Sequence, residues 1–351
     1  MRASVVHGTN SYSARAGIGM RTTQQHHGLR RCALLLALCM FMSTAFRRQS
    51  FAAPIEVASG HAGANDITSE CRNAPQHAEW LFCDDFEEDA PLVRPGRYFE
   101  HDAANGSFTL TPHIGLGGSH GMRAQWQRGQ VGAGSLKLAF GRNPNAYMQR
   151  TALHPDMDFR EIYYRMYLRM QAGWEGAPAK LSRVTVFTAP DAWAQAMIAH
   201  LWSGPDNRLL IDPARCVGAD NRVRCATYND AAALEWLGSR NGVTPIFDTA
   251  QADRWQCIEA HVRLNDSGKA NGVQEFWIND VLQARSAELD FVRAYTDYGL
   301  NAVFFENHWN AGAVKAEARY FDNIVVATSR IGCVADAESV PDSPGPAGPP
   351  Q

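Results

Sequence analysis

The sequence predicts an all-β fold, a two-sheet antiparallel β-sandwich, on three observations. Runs with strict apolar/polar alternation recur along the chain, glycine-bearing turns separate them, and long helical periodicity is nearly absent. About a dozen such strands in one body bury one face each only if two large antiparallel sheets pack together.

The strands are taken in chain order. HGMRAQW (120–126) and AGSLKLAF (133–140) come first. In EIYYRMYLRM (161–170) the alternation sets Ile162, Tyr164, Met166, Leu168 and Met170 on one face, with Tyr163, Arg165, Tyr167 and Arg169 on the other. KLSRVTVFT (180–188), AQAMIAHLW (194–202) and NRLLI (207–211) follow, and a short helix is expected over residues 230–237. In RWQCIEAHVRL (254–264) Ile258, Ala260, Val262 and Leu264 form the apolar face, opposite Trp255, Cys257, Glu259, His261 and Arg263. VQEFWIND (273–280) turns Phe276 and Ile278 inward, and LNAVFFENHW (300–309) and RYFDNIVVAT (319–328) complete the set. Periodicity leaves the strand order open.

The termini read differently. Residues 32–46 (CALLLALCMFMSTAF) form the one long apolar run, preceded by Arg30 and Arg31. Fifteen residues fall short of the ~20 that a bilayer span needs. A basic stretch, a short apolar run and small residues read as a secretory signal over 1–53, with a retained membrane anchor as the alternative. A Gly/Ala-rich linker is expected over 54–69, one sandwich domain over 70–335, and a disordered proline-rich tail over 336–351. The implied location is secreted or periplasmic.

Seven of the 33 basic residues and none of the 36 acidic ones fall in the first 53 positions, so the remainder carries a formal charge of −10. An acidic body gains nothing from general attraction to nucleic acid or to an anionic bilayer, so neither partner is expected. Six cysteines follow residue 53, with no CxxC pair and no zinc spacing. In an oxidising compartment they are read as three disulfides, out of 15 formal pairings. Cys216–Cys225 and Cys71–Cys83 each close a short loop, which leaves Cys257–Cys333.

CDDFE (83–87), YYRMYLRM followed by a Lys-Leu pair, WQCIEAHVRLN with NGVQEFWIND, and the closing YFDNIVVATSRIGC form an ordered set. Together they resemble the concanavalin-A-like jelly-roll polysaccharide lyases, the alginate-lyase-like group with its glucuronan- and heparin-lyase relatives. The resemblance spans residues 82–333 as short motifs between unmatched loops. It implies a jelly roll with a glycan groove on one sheet, an acidic polysaccharide as partner, and β-elimination as the reaction. It also implies a functional role for Lys180, whose Lys-Leu pair matches the group's. The group's later paired-tyrosine motif has no clear counterpart, Tyr228 standing alone beside Cys225. The fold also carries non-catalytic lectin-like modules, so a carbohydrate-binding protein without activity is the second reading. Retaining jelly-roll glucanases use a carboxylate set spaced ExDxxE. That motif is missing here, as are GxSxG, HExxH and GxGxxG.

Elimination from a uronate needs a group that neutralises the carboxylate, a base for the C5 proton and an acid for the leaving O4. Arg165 and Lys180 suit the first task, and Tyr163, Tyr167 and His200 the proton transfers. Arg169, Trp255, His261, Asn307, His308 and Trp309 are candidate sugar contacts, by charge, hydrogen bonding or stacking. Each has a bland alternative as a packed or ion-paired strand residue, and Arg183 is expected on the strand face opposite Lys180. No cofactor is required. A structural calcium ion is expected where Glu87 and Asp322, with Asp84, Asp85 and Asn323, bring the terminal strands together.

Overall fold

The computed structural model of the chain describes residues 67–334. The predicted leader (1–53), the linker up to residue 66 and nearly all of the tail lie outside them. Ile67–Gln76 already form a 3₁₀ segment, which takes in the last three residues assigned to the linker.

Sixteen strands follow: β1 (Trp80–Asp84), β2 (Glu100–Asp102), β3 (Phe108–Thr111), β4 (Gly121–Trp126) and β5 (Gly132–Ala139). After a single helical turn, α1 (Ala146–Gln149), come β6 (Glu161–Met170), β7 (Lys180–Phe187), β8 (Gln195–Ser203) and β9 (Leu209–Arg215). Two-residue strands β10 (Glu235–Trp236) and β11 (Arg240–Asn241) precede β12 (Gln256–Arg263), β13 (Gly272–Ile278), β14 (Val281–Leu289), β15 (Ala302–His308) and β16 (Glu317–Ala327). They build two eight-stranded antiparallel sheets. The back sheet runs β14-β13-β12-β6-β16-β4-β3, with β1 also on β16; the front sheet runs β10-β9-β8-β7-β15-β5-β2, with β11 also on β9. All ten predicted strands are present. Hairpin neighbours such as β7-β8-β9 and β12-β13-β14 combine in each sheet with long-range pairings such as β6-β16 and β7-β15, as in a jelly roll.

Alternation decides which side chains meet between the sheets. Ile162, Tyr164, Met166, Leu168 and Met170 of β6, and Ile258, Ala260 and Val262 of β12, enter one continuous core with Leu136 and Leu138 of β5, Val184 and Val186 of β7, and Val303 and Phe305 of β15. Polar contacts also cross the layers, among them Tyr164 Oη to Ser182 Oγ at 2.9 Å, Gln274 Nε2 to His200 O at 2.7 Å and Arg319 Nε to Asn307 Oδ1 at 2.8 Å. Residues 230–237 are not helical. Backbone bonds to Asp230 O make a turn, and Glu235 and Trp236 then pair with Arg215 and Ala214 at the sheet edge. Pairing to a free edge outweighs the modest helix preference of Ala231–Ala233.

All three expected disulfides form, Cys71–Cys83, Cys216–Cys225 and Cys257–Cys333. Such bridges persist in oxidising compartments. Among the described residues no helix is long and apolar enough to cross a membrane.

Candidate functional site

The predicted site residues divide between two opposite faces. Tyr163, Arg165, Tyr167 and Arg169 line the outer face of the back sheet, and the segments around residues 67–70 and 330–334 cover much of it. The Arg165 guanidinium, 1% exposed, is ion-paired to Glu70 of the 3₁₀ segment and donates to Gly332 O at 3.1 Å. Tyr167 is fully buried beside Ile67, Leu116 and Cys257, and its hydroxyl accepts the Val334 N–H at 2.7 Å. Burial pushes that hydroxyl up to about 12. Tyr163 stacks on His261 with ring centroids 4.1 Å apart, and His261 lies between Glu275 (2.7 Å) and Glu161 (2.8 Å). Arg169 packs over Trp255 and Tyr320 and donates to Ile114 O. Glu259 on the same face accepts the N–H groups of Ile331 and Gly332, while Cys257–Cys333 pins the closing segment down. Alternation identified this face correctly as polar; what it lacked was the covering segments, which are remote in sequence.

Two more of the set are packed inside. Asn307 points between the sheets, its Oδ1 accepting from Arg319 Nε at 2.8 Å and its Nδ2 donating to Gly134 O. Trp309, 5% exposed, closes one end of the core against Trp126 and Trp174.

Lys180, His200 and His308 meet on the outer face of the front sheet. Lys180 pairs with Trp202 on one side and His308 on the other, while Arg183 pairs with His200 and Phe304. Directly opposed residues share a face. Lys180 and Arg183 therefore point the same way although three residues separate them. A register shift between Lys180 and Ser182 inserts the extra residue, and Phe304, Glu306 and His308 of β15 share that face by simple alternation. Strict alternation had put Arg183 on the opposite side, and the bulge corrects it.

The resulting surface runs across the strands in two rows. One contains Asp212, His200, Arg183, Phe304, Lys137 and Glu100; the other contains Leu210, Trp202, Lys180 and His308. Arg183 grips Glu306 bidentately, Nε to Oε2 at 2.7 Å and Nη2 to Oε1 at 2.6 Å, and also donates to Asn229. Burial works against the Glu306 carboxylate, but Arg183 outweighs it and holds the carboxyl below its usual range. The Tyr228 ring lies over Arg183 and its hydroxyl donates to Glu306 at 3.3 Å. Burial, then Glu306, raises that hydroxyl above its ordinary value. Tyr228, left isolated by sequence, is thus a wall of this site.

Lys180 differs from its neighbours. Lys137 is neutralised by Glu100 and Arg183 by Glu306, whereas among the described residues the Lys180 ammonium has no hydrogen-bond or ion-pair partner. Burial, with Arg183 nearby, lowers its pKa, and Glu306 opposes the shift. His200 donates from Nδ1 to Asp212 O at 3.0 Å, which leaves the Nε2 lone pair as acceptor in the neutral ring. Burial and then Arg183 push His200 down to about 3, and burial and then Lys180 lower His308. Both imidazoles are neutral at pH 7. Trp202 and Trp236 flank His200, with ring centroids 4.1 and 5.6 Å from it, and Trp236 is 47% exposed.

Comparison with known proteins gives structural likeness alone. No protein-family model matches the chain, and no curated protein matches it. The chain is similar to solved alginate and glucuronan lyases. A PL-14 alginate lyase from Aplysia kurodai is 12% identical, covering 72% of this chain and 100% of its own at a TM-score of 0.49. An alginate lyase from Chlorella virus is 11% identical, covering 66% and 100%, with a TM-score of 0.45. An endo-β-1,4-glucuronan lyase from the fungus Trichoderma reesei is 11% identical, covering 71% and 96%, with a TM-score of 0.46.

The expected calcium ligands do not fit a cation. Asp322 accepts from Leu116 N (2.7 Å), Asn323 N (2.7 Å) and Ser119 Oγ (3.1 Å), and a Cβ on Gly115 would lie 2.5 Å from its Oδ2. Burial raises its carboxyl well above the usual range. Asp84 is held by Arg97, and Glu87 by the His120 N–H and ring. Calcium takes six to eight oxygens. Among the described residues no group of three or more His, Cys, Asp or Glu side chains is arranged to hold a metal ion.

Proposed function

We propose that the protein is exported, binds an acidic polysaccharide along the outer face of the front sheet, and cleaves it at a uronate by β-elimination. The observation that carries this reading is the free Lys180 ammonium, set between His308 and Trp202 and diagonal to a neutral His200. On a body of formal charge −10 after residue 53, a half-buried cation with no protein partner among the described residues is suited to holding an anionic group.

Lys180 pairs with the uronate carboxylate and gains strength as negative charge develops on the enolate-like intermediate. His200 Nε2 accepts the C5 proton. Its basicity is low in the free protein, and a bound polyanion raises it by favouring the imidazolium. The C4–O4 bond breaks, a C4–C5 double bond forms, and the His200 imidazolium returns the abstracted proton to O4, directly or through a water, while neutral His308 on the far flank of Lys180 offers a hydrogen bond to the sugar. Atoms and charge balance without a cofactor.

The assay is ultraviolet absorbance of the unsaturated uronate on alginate, glucuronan and glycosaminoglycan substrates. Product formed by the wild type and lost in Lys180→Ala supports elimination. Commitment of the Tyr228 hydroxyl to Glu306, leaving no tyrosine beside Lys180, favours the second reading, a carbohydrate-binding module without activity. Saturable binding with no product on any polymer selects that reading. Export is tested by the N-terminal sequence of the mature protein, expected after about residue 53.

A further inference from the structure

The Lys180 face is anchored from within by a cation that belongs to the other sheet. Arg319 on β16 stands opposite Ala124 and Met170, both core-facing, so its side chain points between the layers. It is fully buried, and among the described residues its guanidinium has no ion-pair partner. Instead it reaches across to the front sheet. Nη2 donates to Lys180 O at 3.0 Å and to Glu306 O, and Nε donates to Asn307 Oδ1 at 2.8 Å. Nη1 has no hydrogen-bond partner, and the charge rests against the rings of Trp126 and Phe321 at 5.3 and 5.1 Å. The three acceptors lie where the front sheet is irregular. Ser182 stands opposite Phe305 and Lys180 opposite His308, so Glu306 and Asn307 on β15 face the single residue Leu181 on β7. Such an irregularity disrupts the ladder, and buried carbonyls there need another donor. Burying a cation without a counter-ion is unfavourable, so Arg319 does something here that apolar packing would not.

We propose that Arg319 is a positioning residue for the front-face site, holding the irregular pairing of β7 with β15 and thereby aiming Lys180 and His308 at the ligand, an inference that rests on the acidic-glycan reading of that face. The extra residue in β7 is what turns Lys180 and Arg183 to the same side although three residues separate them. With regular alternation one of the two would face the core. A guanidinium bonded to carbonyls of both strands holds that register from beneath, without touching a sugar. A lysine would keep the charge but lacks the planar fork that bridges both strands and Asn307 together.

The test is Arg319→Lys, alone and combined with Lys180→Ala, with melting curves to identify folded variants. The chain has four lysines, Lys137, Lys180, Lys269 and Lys315, so acylation by an activated ester, mapped by mass spectrometry, reads Lys180 against internal references. In folded Arg319→Lys, labelling of Lys180 relative to exposed Lys269 should change by about threefold or more, because the environment that sets its reactivity is lost while the buried charge is kept. On a polymer that the wild type cleaves, kcat should fall by about 100-fold with little change in KM, as for a reacting group displaced by about 1 Å. In the Lys180→Ala background the same substitution should cost less than about threefold, because the group it aims is gone. Where the wild type binds without cleaving, Kd takes the place of kcat. Unchanged labelling, or turnover within about threefold of wild type, in folded Arg319→Lys overturns the inference. So does an undiminished loss in the Lys180→Ala background, which would make Arg319 a general core residue. Should Arg319→Lys not fold, Asn307→Ala, which removes one of the three bonds, is judged by the same criteria. If the wild type neither cleaves nor binds any acidic polymer, that reading fails by itself. Labelling then decides the positioning role: a changed Lys180 ratio supports it and an unchanged ratio overturns it.

Discussion

Replacing Lys180 by alanine removes a cation that the fold itself does not use. Its ammonium lacks a protein partner among the described residues, and burial and Arg183 both disfavour its charge. Stability should therefore change by no more than about 1 kcal/mol, as for substitutions that break no buried network. Function should respond differently. An ammonium about 4 Å from a carboxylate is worth ~4 kcal/mol at an effective dielectric of 20. Partial solvation reduces this to roughly 2–4 kcal/mol, or about 30- to 1,000-fold in rate at ~1.36 kcal/mol per decade. Because the contact strengthens as charge moves onto the carboxylate, more of the loss should appear in kcat than in KM. Lys180→Arg should retain part of the activity, and Lys180→Met should match alanine. The measurements are initial rates of unsaturated-product formation and melting curves for all three variants. A folded Lys180→Ala protein with turnover within about threefold of wild type would refute the charge argument. A variant melting far below wild type would show that Lys180 is structural.

Three further outcomes follow from the packing. Arg165→Leu strands the buried Glu70 carboxylate and should cost about 3–5 kcal/mol in denaturant unfolding, with turnover per folded molecule unchanged. His200 lies at about 3 in the folded protein against 6.5 unfolded, so the unfolded chain binds the extra proton between those values. Stability is thus complete above pH 6.5 and is lost as pH falls toward 3, by several kcal/mol; His200→Gln should flatten that slope in a pH series of melts. Removing Cys257–Cys333 by a double serine substitution opens a 76-residue span and should cost about 4 kcal/mol by chain entropy. Unchanged unfolding of that variant under non-reducing conditions would contradict the bridge's role.

The front and back sheets carry similar polar chemistry on their outer faces, but different segments cover them. On the back, Arg165, Glu259 and Asn323 satisfy the backbone and side chains of the two terminal segments, which rest on them like a covering layer. On the front, Arg183, Glu306, His200 and Phe304 are buried, partly beneath Tyr228, while Lys180, Trp202 and His308 stay half-buried. The Arg183–Glu306 pair is almost fully buried and bidentate. It stiffens β7 against β15 and leaves Lys180 as the cation available to a ligand.

Local pattern was enough for the strands. A period of two in β6, β12 and β13 is enforced by the pleat, so their inward residues are legible in the order of amino acids. Loop closure likewise made the short disulfides legible, and the third followed by elimination. Which polar residues stay accessible is not encoded locally, because Tyr163–Arg169 and Lys180–Arg183 are both plausible outer faces until the covering chain is placed. Arg183 was hidden by a bulge, since one inserted residue reverses the facing of every position beyond it. Asp212 and Trp236 carry no motif, being ordinary residues on an edge strand and its short partner. The sequence by itself determined the sandwich, its core-facing residues and its cysteine pairs, all short-range consequences of alternation and chain closure. The tertiary structure alone decided that Lys180, His200, His308 and Arg183 share one face, with Lys180 and His308 half-buried, while Arg165 and Tyr167 are sealed on the other sheet, because burial and charge pairing depend on segments brought together across the described fold.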